Sequence, residues 1–290
     1  MFCSCRPIEQ TPPRARHFPQ QNGFGQPTNV GLARIDGEAI VPLTAPPQTQ
    51  ASSVIVVDLN TSKVLYAKNA DQRRAVASTQ KIITALCVLD AGSLDKPVRI
   101  VTSDGDCEPT KLGIRAGEIY TRRALLKVLL VKSANDVARA LARDVAGSEA
   151  NFAILMNRKC AQLGMRNSRF RNPHGLTEPG QYSTARDMAI AAMEAYKHPF
   201  IRDCVATKVT TFRFSDGRTI QLETTNKVLK DLPYCNGMKT GTTNASGRCL
   251  IATGSLRDRD AVAVVLHSNS RSIWNDSSSL LRWALERPQP

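Results

Sequence analysis

The chain has 290 residues, 42% of them apolar, and a formal net charge of +14, which suits one large domain with a sizeable core, or a domain plus a tail. The charge opens nucleic acid, an anionic membrane or an anionic polymer as partners, but no dense basic run with interleaved aromatics and no nucleic-acid motif supports the first of these. No stretch has transmembrane length, the first thirty residues lack the apolar segment of a signal peptide, and no Cys-x-x-Cys pair speaks for structural zinc.

Residues 1–50 read as a disordered or extended tail, because "RPIEQTPPRARHFPQQNGFGQPTN" and "VPLTAPPQTQ" are rich in Pro, Gln and Gly with little apolar periodicity; within them "GLARIDGEAI" reads as a short strand docking on the domain. A folded domain is expected over 51–288. "SVIVVDL" and "VLYAKN", split by the turn-like "NTSK", predict a hairpin. "STQKIITALCVLDAG" predicts a mostly buried helix ended by Gly92. After a turn-rich stretch over 96–120, Thr121 caps a helix in "RRALLKVLLVKS". "NDVARALARDVAG" follows, closed by Gly147, and then "SEANFAILMNRKCAQLG", opened by Ser148 and closed by Gly164. "NPHGLTEPGQYS" reads as loop and "TARDMAIAAMEAYKH" as a fourth helix stopped by Pro199. "KVTTFRFSDGRTIQLETT" is a hairpin around Asp216-Gly217, "CLIATGSLRDRDAVAVVLHS" a second, and "SSSLLRWALE" a closing helix. The order implies an α+β fold: an antiparallel sheet made from both chain ends with a helical lobe between.

Three short motifs occur in order: Ser78-Thr79-Gln80-Lys81, Ser133-Ala134-Asn135, and Lys239-Thr240-Gly241 followed by Thr242. Helix positions three apart share a face, so Lys81 can lie at hydrogen-bond range of Ser78. A serine needs a base to become a nucleophile, and lysine is a base only when neutral. The apolar run after Lys81 and a second cation at Lys239 would both depress its pKa. Ser78 and Ser133 can equally be plain helix caps. "NGMKTGTTNASG" reads as a strand edge with alternating hydroxyls, against which a substrate backbone can lie; Lys239 would attract a carboxylate, and Gly241 would allow close approach. A tight turn is the plainer reading of its glycines.

The set of Ser-x-x-Lys, Ser-x-Asn and Lys-Thr-Gly is shared by penicillin-binding proteins and class A β-lactamases. From Ser53 to Glu286 the chain resembles the low-molecular-mass penicillin-binding proteins, the serine D-alanyl-D-alanine carboxypeptidases, also in "VLYAKNADQRRAVAST", "NPHGL", "YSTARDMA" and "NGMKTGTTNASGRCL". The resemblance implies the transpeptidase-like fold of that family and an acyl-enzyme mechanism without metal or organic cofactor. In it Ser78 attacks the penultimate D-alanine carbonyl, Lys81 is its base, Ser133 relays a proton and Asn135 holds the substrate amide. Lys239, Thr240 and Thr242 meet the terminal carboxylate, and the backbone N–H groups of Ser78 and Thr242 form the oxyanion hole. Gly241 belongs to the same substrate-binding strand. It further implies peptidoglycan peptides as substrates, β-lactams as covalent inhibitors, no nucleic acid, and work outside the cytoplasmic membrane.

The chain departs from the family pattern in several places. Asn236 stands where many members carry an acid. Ile273, before Trp274, stands where members commonly carry an arginine that binds the substrate carboxylate, with Arg271 as the expected substitute. No export signal is visible; "MFCSC" reads as the end of a lipoprotein signal with Cys3 or Cys5 as lipid site, so membrane attachment is expected through the N-terminus only. Neither a further β domain nor a C-terminal anchor helix is expected after the closing helix. Glu178 lacks the partner that would activate a deacylating water, so slow deacylation rather than β-lactamase turnover is expected. Endopeptidase activity and a non-catalytic wall-binding role are the other readings, and a nucleic-acid binder rests on charge alone. Cys87, Cys160 and Cys249 read as buried small hydrophobes, while pairing among Cys107, Cys204 and Cys235 stays open. His174 is expected to stabilise its loop, Arg186 and Asp187 to serve a helix start capped by Ser183 or Thr184, and Asp136 to be a helix-start acid.

Overall fold

The computed structural model describes residues 45–107 and 109–286. Most of the expected tail, 1–44, and residues 287–288 of the expected domain lie outside them. Residues just before 51 bond to later elements: the Gln50 amide donates to Asp276 and the Thr49 carbonyl accepts from Lys68.

A five-stranded antiparallel sheet organises the molecule, in the order β2-β1-β9-β8-β7. Its strands are β1 (Ser53–Asp58), β2 (Val64–Lys68), β7 (Cys235–Thr243), β8 (Gly247–Leu256) and β9 (Arg259–Ser268). Strands from the two chain ends meet where β1 pairs with β9, as the α+β reading expects. Side chains alternate across a strand, so Val262, Val264 and Leu266 of β9 join one core while Ala261, Ala263 and Val265 join another. Both faces are covered, which is why β9 reads as the unbroken apolar run "AVAVVL". The closing helix α8 (Ile273–Glu286) packs on one face, through Leu280, Leu281 and Leu285.

The helical lobe covers the other face. It contains α1 (Lys81–Asp90), α2 (Arg122–Val131), α3 (Asn135–Ala146), α4 (Glu149–Leu163) and α5 (Ala185–Tyr196). In α1 every residue from Lys81 to Val88 is buried, so it is the lobe's central helix; each large apolar side chain it buries contributes about 1.5–3 kcal/mol. The predicted caps form: Thr121, Ser148 and Thr184 accept from amides three residues on, and Gly147 and Gly164 close α3 and α4 in the left-handed conformation. The hairpin of β5 (Val209–Arg213) and β6 (Thr219–Glu223) packs on α2, and Phe212 stacks at a tilt on Tyr120 of β4 (Ile119–Thr121), the partner of β3 (Pro97–Arg99).

One expectation needs correction, and two points the sequence left open are filled in. Pro199 does not merely stop α5: it occupies the first turn of a further helix, α6 (Pro199–Ala206), where its missing N–H is no loss. A short helix α7 (Lys227–Asp231), capped by Asn226, precedes β7. All six described cysteines, including Cys107, Cys204 and Cys235, are buried free thiols, so no pairing occurs among them.

Candidate active site

The three sequence motifs converge on one cleft. Ser78 lies in a single 3-10 turn, Ala77–Gln80, that runs straight into α1. Its side chain caps nothing, so the plain capping role is excluded. Ala77, just before it, has φ +47°, a conformation that costs a non-glycine residue about 1–2 kcal/mol. The turn is held from outside by the loop after His174: a Cβ on Gly175 would collide with the Ala77 carbonyl, so only glycine fits there.

Lys81 is fully buried one helical turn beyond Ser78. Its Nζ lies 2.9 Å from Ser78 Oγ, 2.7 Å from Asn135 Oδ1 and 2.6 Å from the His174 carbonyl oxygen. Burial, and next the charge of Lys239, hold its pKa well below the usual lysine value. A charged Lys81 donates to all three oxygens; a neutral one has a lone pair free to take the Ser78 proton.

Ser133 and Asn135 sit at the junction of α2 and α3. Ser133 has φ +67° and does not cap α3, whose N-cap is Ala134; instead its Oγ accepts from Lys239 Nζ at 2.9 Å. Asn135 is fixed by its own bonds to the carbonyls of Pro109 and Thr110. Asp136 does more than begin a helix. Its buried carboxylate accepts from the amides of Leu112, Gly113 and Ile114, which pins the 109–114 loop beside Asn135.

Strand β7 is an edge strand of the sheet. Lys239 and Gly241 pair with Ile251 and Cys249 of β8 and turn toward the lobe. A Cβ on Gly241 would come within 2.9 Å of the Ser78 nitrogen, so glycine lets the strand close on the nucleophile's backbone. Lys239 is also fully buried, and burial alone pulls its pKa down to about 7. Thr240 and Thr242 line the cleft, with the Thr240 hydroxyl bonded to Thr225.

The cleft has a volume of about 430 Å³ and takes in Ser78, Ser133, Thr240, Gly241 and Thr242, a size suited to a small ligand or a peptide end. Every residue singled out for chemistry therefore lines it or lies directly behind it. The set-aside residues keep structural roles. His174 accepts from the Leu176 amide through Nδ1 and faces Glu149 through Nε2, and only its carbonyl reaches Lys81 and Ser78. Arg186 pairs with Asp71. Thr184, not Ser183, is the cap of α5. Asn236 donates to the Tyr196 hydroxyl, and exposed Glu178 does not line the cleft.

The expected substitute arginine is corrected. Arg271 does not line the cleft, whereas buried Ile273 and its neighbour Trp274 do, and Arg248 enters from β8. Sequence reasoning passed over Arg248, although the tight turn before it puts it opposite Thr242.

The family model for D-alanyl-D-alanine carboxypeptidase, Peptidase S11, matches residues 41–270. The chain is 35% identical over 226 residues to the D-alanyl-D-alanine carboxypeptidase DacF of Bacillus subtilis, covering 76% of this chain and 58% of that protein. It is 31% identical to the D-alanyl-D-alanine endopeptidase of Escherichia coli, covering 82% of this chain and 78% of the relative. The crystal structure of a D-alanyl-D-alanine carboxypeptidase from Mycobacterium tuberculosis superposes with a TM-score of 0.79 at 28% identity, over 84% of this chain and 95% of that one. With its antiparallel sheet and helical lobe, and with the family model matched over most of its length, the chain belongs to the D-alanyl-D-alanine carboxypeptidase family of serine peptidases.

Proposed function

We propose that the protein is a serine D,D-carboxypeptidase that removes the terminal D-alanine from peptidoglycan stem peptides through an acyl-enzyme on Ser78. The observation that carries this reading is the buried Lys81 amine nitrogen 2.9 Å from Ser78 Oγ, with its pKa depressed by burial and by Lys239. Neutral Lys81 takes the hydroxyl proton as Oγ bonds to the penultimate carbonyl carbon. The N–H groups of Ser78 and Thr242 receive the developing oxyanion; one such donor is worth about 2.7–4 kcal/mol in acyl-transfer enzymes. Asn135 orients the substrate amide. As the C–N bond breaks, the departing amine gains its proton through Ser133, whose hydroxyl Lys239 holds in place. Water then cleaves the ester and restores Ser78. The catalytic domain acts outside the cytoplasmic membrane, and β-lactams acylate the same serine.

Endopeptidase action on crosslinks is the second reading, favoured by the likeness to the Escherichia coli endopeptidase. Rapid β-lactam turnover is not expected, since no carboxylate among the described residues lines the cleft to activate water. The test is the intact mass after incubation with benzylpenicillin. A lasting adduct of one penicillin on the wild type, absent in Ser78→Ala, supports the reading; unmodified protein with intact drug overturns it. Digestion of purified peptidoglycan then separates released D-alanine from cut crosslinks.

A further inference from the structure

Arginines crowd the two segments that carry and support the nucleophile. "RRAVAS" runs into Ser78, and "RNSRFRNPHG" runs into Gly175, which lies against Ala77. Arg73, Arg166, Arg169 and Arg171 in these segments are all exposed. Antiparallel bridges join the segments through the 182–183 stretch: Arg74 pairs with Ser183, and Arg169 with Tyr182. Residues directly opposed in this way put their side chains on one face, so Arg169 lies beside the Tyr182 ring. The Arg73 guanidinium covers the same ring, 4.7 Å from its centre, and donates to Asn167 Oδ1. The Arg171 guanidinium lies against Gly180.

The charge of these four is not neutralised within the fold. Arg122 pairs with Asp144, Arg143 with Asp104 and Arg218 with Asp216, but Arg73, Arg166, Arg169 and Arg171 have no ion pair among the described residues. Nearby acids are engaged elsewhere: Asp71 pairs with Arg186, and Asp187 accepts from the Asn167 amide and the Ser168 hydroxyl. Glu178 is the one carboxylate from 166 to 182. Like charges gathered on one surface repel one another and favour a bound polyanion. No large apolar side chain is exposed in either segment, so nothing there would enter a bilayer.

The proposed reaction itself brings a polyanion to this surface. Each uncrosslinked stem peptide of the polymer ends in an α-carboxylate, before and after its last residue is removed. A chain reaches at most about 3.6 Å per residue, so the Arg73 backbone lies within about 18 Å of Ser78, and that of Arg171 within about 14 Å of Gly175. We propose that Arg73, Arg166, Arg169 and Arg171 form a docking surface, outside the cleft, for the peptidoglycan polymer. They hold carboxylates of stem peptides neighbouring the one under attack, each guanidinium fork taking a carboxylate in two parallel bonds. This rests on the proposed function and extends it from a peptide end to the polymer. Several weak contacts along one strand add affinity without touching the bond that breaks, and salt screens them because they are exposed.

The experiment measures retention on insoluble peptidoglycan, stripped of phosphate polymers with hydrofluoric acid, for wild type and the double variant Arg169→Gln/Arg171→Gln. Benzylpenicillin acylation and kcat/KM on a short N-acylated D-alanyl-D-alanine peptide report the cleft and should not change. Losing two exposed charge contacts should weaken retention about 2- to 30-fold, and the gap should close as salt is raised. Converting the carboxylates of the peptidoglycan to amides should lower wild-type retention to the level of the variant. Unchanged retention in the variant, or wild-type retention that survives amidation, overturns the proposal. An equal fall in acylation and short-peptide hydrolysis also overturns it, by making the arginines supports of the Ser78 turn. So does arginine-dependent retention found only on phosphatidylglycerol vesicles, or only on walls that keep their phosphate polymers. A wild type that forms no penicillin adduct overturns the proposed function instead, and arginine-dependent retention on peptidoglycan would survive that result.

Discussion

The two faces of the central sheet are built on opposite rules. Under α8, Val54, Val56, Leu250, Ala263 and Val265 meet Leu280, Leu281 and Leu285, an apolar layer between sheet and helix. On the lobe side, at the seam with β7, two full-length lysines are buried beside Ser133 and Asn135, and Ala77 and Ser133 take left-handed conformations. The first face is what patterning alone would make. The second departs from it repeatedly: buried amines are pushed toward neutrality, and strained residues persist only because the surrounding core holds them. Groups that weaken the fold where they stand are explained by what they do there.

The largest effect should come from breaking the seam at its centre. Lys81→Met removes the base, and general-base loss lowers rates about 10²–10⁴-fold, read as the second-order rate of acylation by benzylpenicillin. Stability should hold or rise, because a buried amine is replaced by an apolar chain of similar length. A variant that unfolds would instead make Lys81 a structural residue, and the contrast between the faces would collapse.

The opposite pattern should appear under α8. Leu281 is fully buried there and does not line the cleft. Leu281→Ala should destabilise the domain by about 2–5 kcal/mol, through lost burial and the cavity left behind, measured by urea unfolding. Acylation by the folded protein should change little. A large catalytic loss at low denaturant would mean that the two faces are coupled through the sheet.

What was legible in the sequence follows the same division. The apolar runs of β8 and β9, the Asp216-Gly217 turn and the caps at Thr121, Ser148 and Gly164 are local signals, and each sits where its residues direct it. The three motifs were legible because their residue types are chemically unusual together. What escaped depends on contacts between distant segments. Asp136 binds amides 22 to 24 residues earlier. The carbonyl of His174, not its ring, meets Lys81 across 93 positions. Arg248 faces the cleft because of a strand register. Pro199 was a matter of sign: the same ring that ends one helix is well placed to begin another.

The finest test of the seam asks whether its two lysines act on each other. The Lys239 charge is the second cause, after burial, of the depressed Lys81 pKa. Lys239 itself titrates near 7, so it carries that charge mainly below pH 7. Lys239→Met removes the repulsion, so protonated Lys81 becomes less unfavourable and its pKa rises. The rising limb of the acylation rate against pH, which follows the neutral fraction of Lys81, should therefore move to higher pH, by about one unit if the lost repulsion is near 1.4 kcal/mol. The ratio of wild-type to variant rate should be greatest at pH 5–6 and shrink above pH 7, where Lys239 is already neutral in the wild type. Loss of the Lys239 hydrogen bond to Ser133 alone would lower the profile without moving it. Parallel profiles would therefore show that burial by itself sets Lys81, and that Lys239 serves the site only by position.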